Sequence, residues 1–209
     1  MMSTNFPFKN LAGEVQFGYA SEASADLSPA LFSPADRLKW EQRETVHRKH
    51  ECLLSRSALA TALHPHPLSS VHYKGKQPNH EAGHISLSHA KKVAIAAYSP
   101  TLELGVDVEE VRPQIGRIAH KFIRPDEEKY LNDLGTTHAQ QLLWGLKESL
   151  FKLFGSGNVD FKKHLHITSL HTDGNGEHWS GTAWIYATSA ARPEPIQCMV
   201  QGYFDGSHY

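Results

Sequence analysis

Leucines at 143, 146, 150 and 153 recur at three-and-four spacing in THAQQLLWGLKESLFKLFG, the pattern of a helix with one buried stripe. Such a stripe needs an apolar partner, and three runs rich in β-formers follow it, at about 165–170, 182–188 and 197–204. Thr136 or Thr137 is expected to cap this helix and Gly155 to stop it. Shorter helical pieces precede it, at about 114–122 and, after Arg124-Pro125, at 126–134.

The first half has a similar order. A strand is expected at about 14–19, and Ser33-Pro34 signals a helix start. Helical character, broken once near Val46, runs to Leu63, where Pro65 and Pro67 of HPHPLSS prevent continuation. KGKQPNHEAGH reads as a turn-rich loop; ISLS, VAIAAYS and LELGVDVE then read as three strands of a meander. This order predicts an α+β fold of two similar subdomains, 1–111 and 112–209, with a site at their junction.

In LELGVDVE, residues two apart share a face, so Val106 and Val108 are expected in the core with Asp107 and Glu109 together on the opposite side. A solvated acidic face gives the same pattern. So does half of a magnesium site, because that hard cation takes one or two carboxylates, waters and phosphate oxygens. Trp144, Glu148 and Lys152 fall four apart on a stripe beside the leucines. Glu148 and Lys152 alone make an ordinary i,i+4 helix pair.

The net charge of -1 supplies no global field for nucleic acid or an anionic membrane, so phosphate recognition must come from local basic groups. No apolar run is long enough to span a bilayer, and MMSTNFPFKN lacks a signal pattern, which leads to a cytoplasmic expectation. Cys52 and Cys198 stand far apart as structural thiols, and the fifteen histidines carry no familiar zinc spacing.

Together, Gly105-Val106-Asp107-Val108-Glu109 and Trp144-Gly145-Leu146-Lys147-Glu148-Ser149-Leu150-Phe151-Lys152 resemble the paired G-x-D-x-E and W-x-x-K-E-x-x-x-K motifs of a known family. That family is the 4′-phosphopantetheinyl transferases of the surfactin-synthetase and enterobactin-synthetase type. RKHECLLSR, from Arg48 to Arg56, resembles the basic helix of the enterobactin-type members; Lys74-Gly75-Lys76 and ISLSHA resemble their G-K-P and S-H segments; and IAHKFIRPDEEKYL resembles the stretch between the acidic motifs. Three positions depart from the pattern: Gln77 separates Lys76 from Pro78, Ala90 follows His89, and Gly145 stands where a hydroxyl residue is common.

The resemblance implies a pseudo-twofold arrangement of the subdomains and a magnesium-dependent transfer. The 4′-phosphopantetheine arm of coenzyme A passes to a serine of an apo acyl or peptidyl carrier protein. It implies Asp107, Glu109 and Glu148 as metal ligands, Glu148 as the general base, and Lys152 as a donor to the pyrophosphate, with His89 and Lys147 as further donors. Arg48, Lys49, Arg56, Lys76, Ser88 and His89 are the expected coenzyme A contacts, and Arg117, Lys121 and Arg124 are docking charges for an acidic carrier. Two halves on one chain predict a monomer. A magnesium phosphohydrolase would use the same carboxylates with water as nucleophile, and a coenzyme A binding module would need no base.

Overall fold

The computed structural model describes residues 14–209 apart from 24, 26–27, 29–31, 33, 75–76, 156 and 174–175. The fold is α+β, and the chain divides into two compact units, one ending at Val108 and the other running Glu109–Tyr209. The division falls three residues before the expected 111/112 boundary. The cause is local: Glu109 and Val111 pair through their backbones with Ser207 and Tyr209, which holds them in the second unit.

In the first unit, α1 (Pro34–Glu41) precedes α2 (Val46–Leu63), whose first turn is capped by Thr45 Oγ1 accepting the Arg48 amide at 3.3 Å. The helical break expected near Val46 is this cap. Helix α2 lies on a three-stranded antiparallel sheet ordered β1 (Gln16–Ser21), β5 (Val93–Ser99), β4 (His84–His89). The approach is close: a Cβ at Gly18 would stand 1.9 Å from the Ala58 carbonyl oxygen, so only glycine admits the helix there. Every residue of β5 is buried, the mark of a strand covered on both faces. Ala94, Ala96 and Tyr98 pack with Leu54, Ala58, Leu59 and Ala62 of α2, while Val93 and Ile95 pack with Val108.

That second cover corrects the meander. The LELGVDVE segment forms no sheet ladder over residues 102–109, and β1 takes the place beside β5 that the third strand of a meander would fill. The segment instead crosses the far face of β4 and β5. Val108 is buried and Val106 half-buried against Val93 and Ile95 as expected, but the pairing differs, and Asp107 is not turned to the opposite side, because its carboxylate bonds Ser88 on that same sheet face. A second correction concerns KGKQPNHEAGH, which supplies the last residue of β2 (Val71–Lys74) and all of β3 (Gln77–His80), a hairpin with Tyr73 opposite Pro78. A two-stranded ribbon has only edges, where proline costs no ladder bond if its nitrogen faces outward.

At the end of β3, His80 is 8% exposed and its ring meets His66 and Tyr98 edge-on at 5.3 and 5.6 Å. Its Nδ1 accepts the Ala82 amide at 3.1 Å, which leaves the proton on Nε2, 2.6 Å from Ser70 Oγ. Burial, and then the neighbouring His66, hold the His80 pKa below its ordinary 6.5. A second proton would face the Ala82 N–H. The unfolded chain therefore binds this proton more readily than the folded one. The contribution is fully present above pH 6.5 and is lost as pH falls through the folded pKa. Urea midpoints taken from pH 7.5 to 5.5 are expected to fall with pH, and His80→Asn to flatten that slope.

The second unit is built on α5 (Thr136–Phe154), which packs on an antiparallel sheet ordered β6 (Leu165–Thr172), β7 (His178–Ile185), β8 (Ile196–Tyr203). Leu143, Leu146 and Leu150 are buried as expected, joined by Leu142 and Phe154, while Leu153 is only partly covered. Neither threonine caps the helix: Gly135, at φ 74°, precedes it without a side-chain bond, and Thr136 is its first residue. Gly155, at φ 103°, ends it with its amide on the Phe151 carbonyl. Short helices α3 (Ala119–Phe122), α4 (Lys129–Leu134) and α6 (Phe161–His164) and two 3-10 turns, Pro113–Arg117 and Pro125–Glu127, complete the unit. Among the described residues, no helix is long and apolar enough to cross a membrane.

Candidate functional site

Each unit positions part of the predicted site. In the first, Ser86 and Ser88 of β4 are 5% and 7% exposed and meet the crossing segment. Ser86 Oγ accepts the Val106 amide at 3.0 Å, and Ser88 Oγ donates to Asp107 Oδ1 at 2.8 Å. Two strand residues on one face thus replace a β-ladder as the means of holding the acidic segment. Ser88, expected to contact coenzyme A, is engaged here with the first carboxylate.

His89 ends the same strand, with Nδ1 3.7 Å from Glu51 Oε1, and His47 Nε2 reaches that oxygen at 3.0 Å. The basic helix offers cations of different character. Arg48 is exposed, and Lys49 Nζ lies 5.4 Å from the Trp40 ring centre. Arg56 is only 6% exposed, donates to the Tyr73 hydroxyl at 2.7 Å and lies over that ring at 5.2 Å. Lys76 lies outside the described residues.

In the second unit, the Glu109 side chain is 15% exposed and held from several directions. Its amide donates to the Tyr209 carbonyl at 2.8 Å, and the Tyr209 amide returns to the Glu109 carbonyl at 2.9 Å. Trp144 Nε1 donates to Glu109 Oε1 at 3.2 Å, and Arg112 pairs with Oε2. The indole is itself fixed by an edge-on contact with Phe122 at 5.2 Å and stacking on Phe161 at 5.4 Å. Tyr209 stacks on Phe204 at 4.7 Å and its hydroxyl lies 2.9 Å from His138 Nδ1; burial pushes its pKa up to about 12. Glu148 and Lys152 are half-buried, one and two turns along α5 from Trp144 on the same stripe.

Lys147 corrects the expectation of a pyrophosphate donor. It is 0% exposed, and its ammonium spends all three protons internally, on Phe122 O at 2.5 Å, Glu127 Oε2 at 2.7 Å and Phe161 O at 3.3 Å. Glu127, equally buried, also accepts the Arg124 amide at 2.9 Å and the Ile167 amide at 2.8 Å. Burial lowers the Lys147 pKa and Glu127 works against that shift. Its role is to tie α5 to the turn at 125–127 and to β6. Arg124 is likewise partly committed: its guanidinium donates to Asp126 at 3.2 Å and to the Lys162 carbonyl at 3.1 Å.

The sequence placed Trp144 in a motif, on one stripe with Glu148 and Lys152, but gave no sign of its bond to Glu109, and it missed Arg112 and Tyr209 altogether. For Trp144, the four-residue spacing from Glu148 was the available signal. The other two carry none. Among the described residues, no three His, Cys, Asp or Glu side chains converge closely enough to hold a metal ion unaided.

Two comparisons bear on this arrangement. A curated relative, the 4'-phosphopantetheinyl transferase HetI of Nostoc sp. (strain PCC 7120 / SAG 25.82 / UTEX 2576), is 31% identical over 78 residues, 35% of this chain. The matched stretch spans about a third of that relative's length, 33%. Residues 103–192, which contain both acidic motifs, match the 4'-phosphopantetheinyl transferase superfamily.

Proposed function

We propose that this chain transfers the 4′-phosphopantetheine arm of coenzyme A to a serine of an apo acyl or peptidyl carrier protein, as an enzyme of the surfactin-synthetase and enterobactin-synthetase type. The observation that carries the reading is the hydrogen bond from Trp144 to Glu109, which joins the first residue of one acidic motif to the last of the other inside the matched segment. The similarity to a Nostoc protein named as a 4'-phosphopantetheinyl transferase supports the same reaction class.

The serine Oγ attacks one phosphorus of the pyrophosphate, a P–O bond to serine forms, and the P–O bond to the leaving adenosine 3′,5′-bisphosphate breaks. Glu148 takes the serine proton. Lys152 donates to the pyrophosphate as charge moves to the leaving group, and His89 is a further donor. Arg48, Lys49, Arg56 and Lys76 bind the phosphates of coenzyme A, with Ser88 orienting Asp107 beside them. Asp107, Glu109 and Glu148 would hold magnesium, which when bound neutralises pyrophosphate charge. Carboxylate oxygens are hard donors of the kind that ion takes, and Glu109 already stabilises positive charge at Oε2. In this reading, residues 1–111 supply the cofactor cations and first acidic motif, and 112–209 the second. The protein acts as a cytoplasmic monomer.

The test is bisphosphate release from coenzyme A and magnesium, with and without an apo carrier. Release that requires the carrier supports transfer. Equal release without it would replace the proposal with a phosphohydrolase.

A further inference from the structure

Arg112 is anchored by its backbone, and its side chain is exposed. Its amide donates at 3.1 Å to Gln141 Oε1, and Gln141 is a fully buried residue of α5. The side chain is 58% exposed, and its guanidinium closes on Glu109 Oε2, while the other carboxylate oxygen of Glu109 takes the Trp144 indole. The carboxylate that the proposed function gives to a divalent cation thus has a cation of the chain's own, delivered on a long solvent-facing arm from a fixed point.

We propose that Arg112 is a place-holding cation: its guanidinium neutralises Glu109 until a divalent ion takes the same oxygen, and the two compete for it. The inference rests on the reading of Glu109 as a metal ligand. Two cations on one carboxylate oxygen repel, so the ion must push the guanidinium away or share the carboxylate at a cost. Because the arm is exposed and can retreat into solvent, the penalty is screened, and it amounts to about three- to tenfold in affinity. The trade has a physical use. Without a cation this largely buried carboxylate would keep its charge against the Trp144 indole alone, and Arg112 prevents that state. Trp144 and Tyr209 do not compete, because a neutral N–H and a backbone pair orient the carboxylate without opposing an incoming positive charge.

The experiment is calorimetric titration of magnesium into the full-length wild type, Arg112→Gln, Arg112→Lys and Glu109→Gln, with and without saturating coenzyme A, each variant first compared by thermal melt. Arg112→Gln is expected to bind magnesium about three- to tenfold more tightly than wild type, Arg112→Lys to remain near wild type, and Glu109→Gln to lose binding. The lysine variant separates charge from shape, since a merely structural arginine would not be replaced by an ammonium. Unchanged or weaker binding by Arg112→Gln, with binding still lost in Glu109→Gln, overturns the competition and leaves the metal site standing. Absence of binding in both wild type and Arg112→Gln overturns the metal role of Glu109 and this inference with it.

Discussion

Lys147→Met is expected to lose on the order of 3–5 kcal/mol of stability, because it leaves the Glu127 carboxylate buried without its partner. Both side chains are 0% exposed, and the carboxylate would retain only the Arg124 and Ile167 amides. In a chain of this size that corresponds to a fall of roughly 6–20 °C in melting temperature. The double variant Lys147→Met with Glu127→Leu removes both charges and is expected to recover much of the loss, since an apolar pair avoids the desolvation cost. A scanning calorimetry series on the two proteins checks both statements. A single variant that melts with wild type would mean the ammonium is not the anchor of α5 described here.

Glu148→Gln is expected to keep the wild-type melt and lower phosphopantetheine transfer by about 10²–10⁴-fold, the range for removal of a general base. The amide is nearly isosteric, so α5 retains its packing on the sheet through Leu142, Leu146 and Leu150. The effect belongs to turnover: initial rates at saturating coenzyme A and carrier measure it. A variant within threefold of wild type would remove Glu148 from both of its proposed roles.

What the sequence revealed of this molecule was what repeats locally. The leucine stripe of α5 and the arrest at Gly155 are properties of a single helix, and both are found in place. Alternation in LELGVDVE correctly sent the valines toward the core but not Asp107 to the opposite side, since Ser88, on the sheet face those valines cover, holds its carboxylate. It could not reveal that the segment crosses a sheet face rather than joining its ladder. That outcome depends on Ser86 and Ser88, which lie some twenty residues earlier and supply the hydrogen bonds a neighbouring strand would have given. The β2–β3 hairpin was hidden by Pro78, a residue that argues against a strand unless the ribbon has no interior.

Within the candidate site, the motifs could be read from the sequence and the residues that hold them could not. Lys147 sits in a charged motif and looks available for catalysis, and only the distant Glu127, Phe122 and Phe161 reveal that it is spent inside the fold. Arg112 and Tyr209 grip Glu109 from positions 3 and 100 residues away, contacts that no spacing rule encodes.

The proposed transfer is best tested by the intact mass of a purified apo carrier protein after incubation with this protein, coenzyme A and magnesium, with and without chelator. The prediction is a gain of one phosphopantetheine on acyl or peptidyl carriers, abolished by chelator. Unchanged mass on both carrier classes, with coenzyme A cleaved to the bisphosphate, would contradict it.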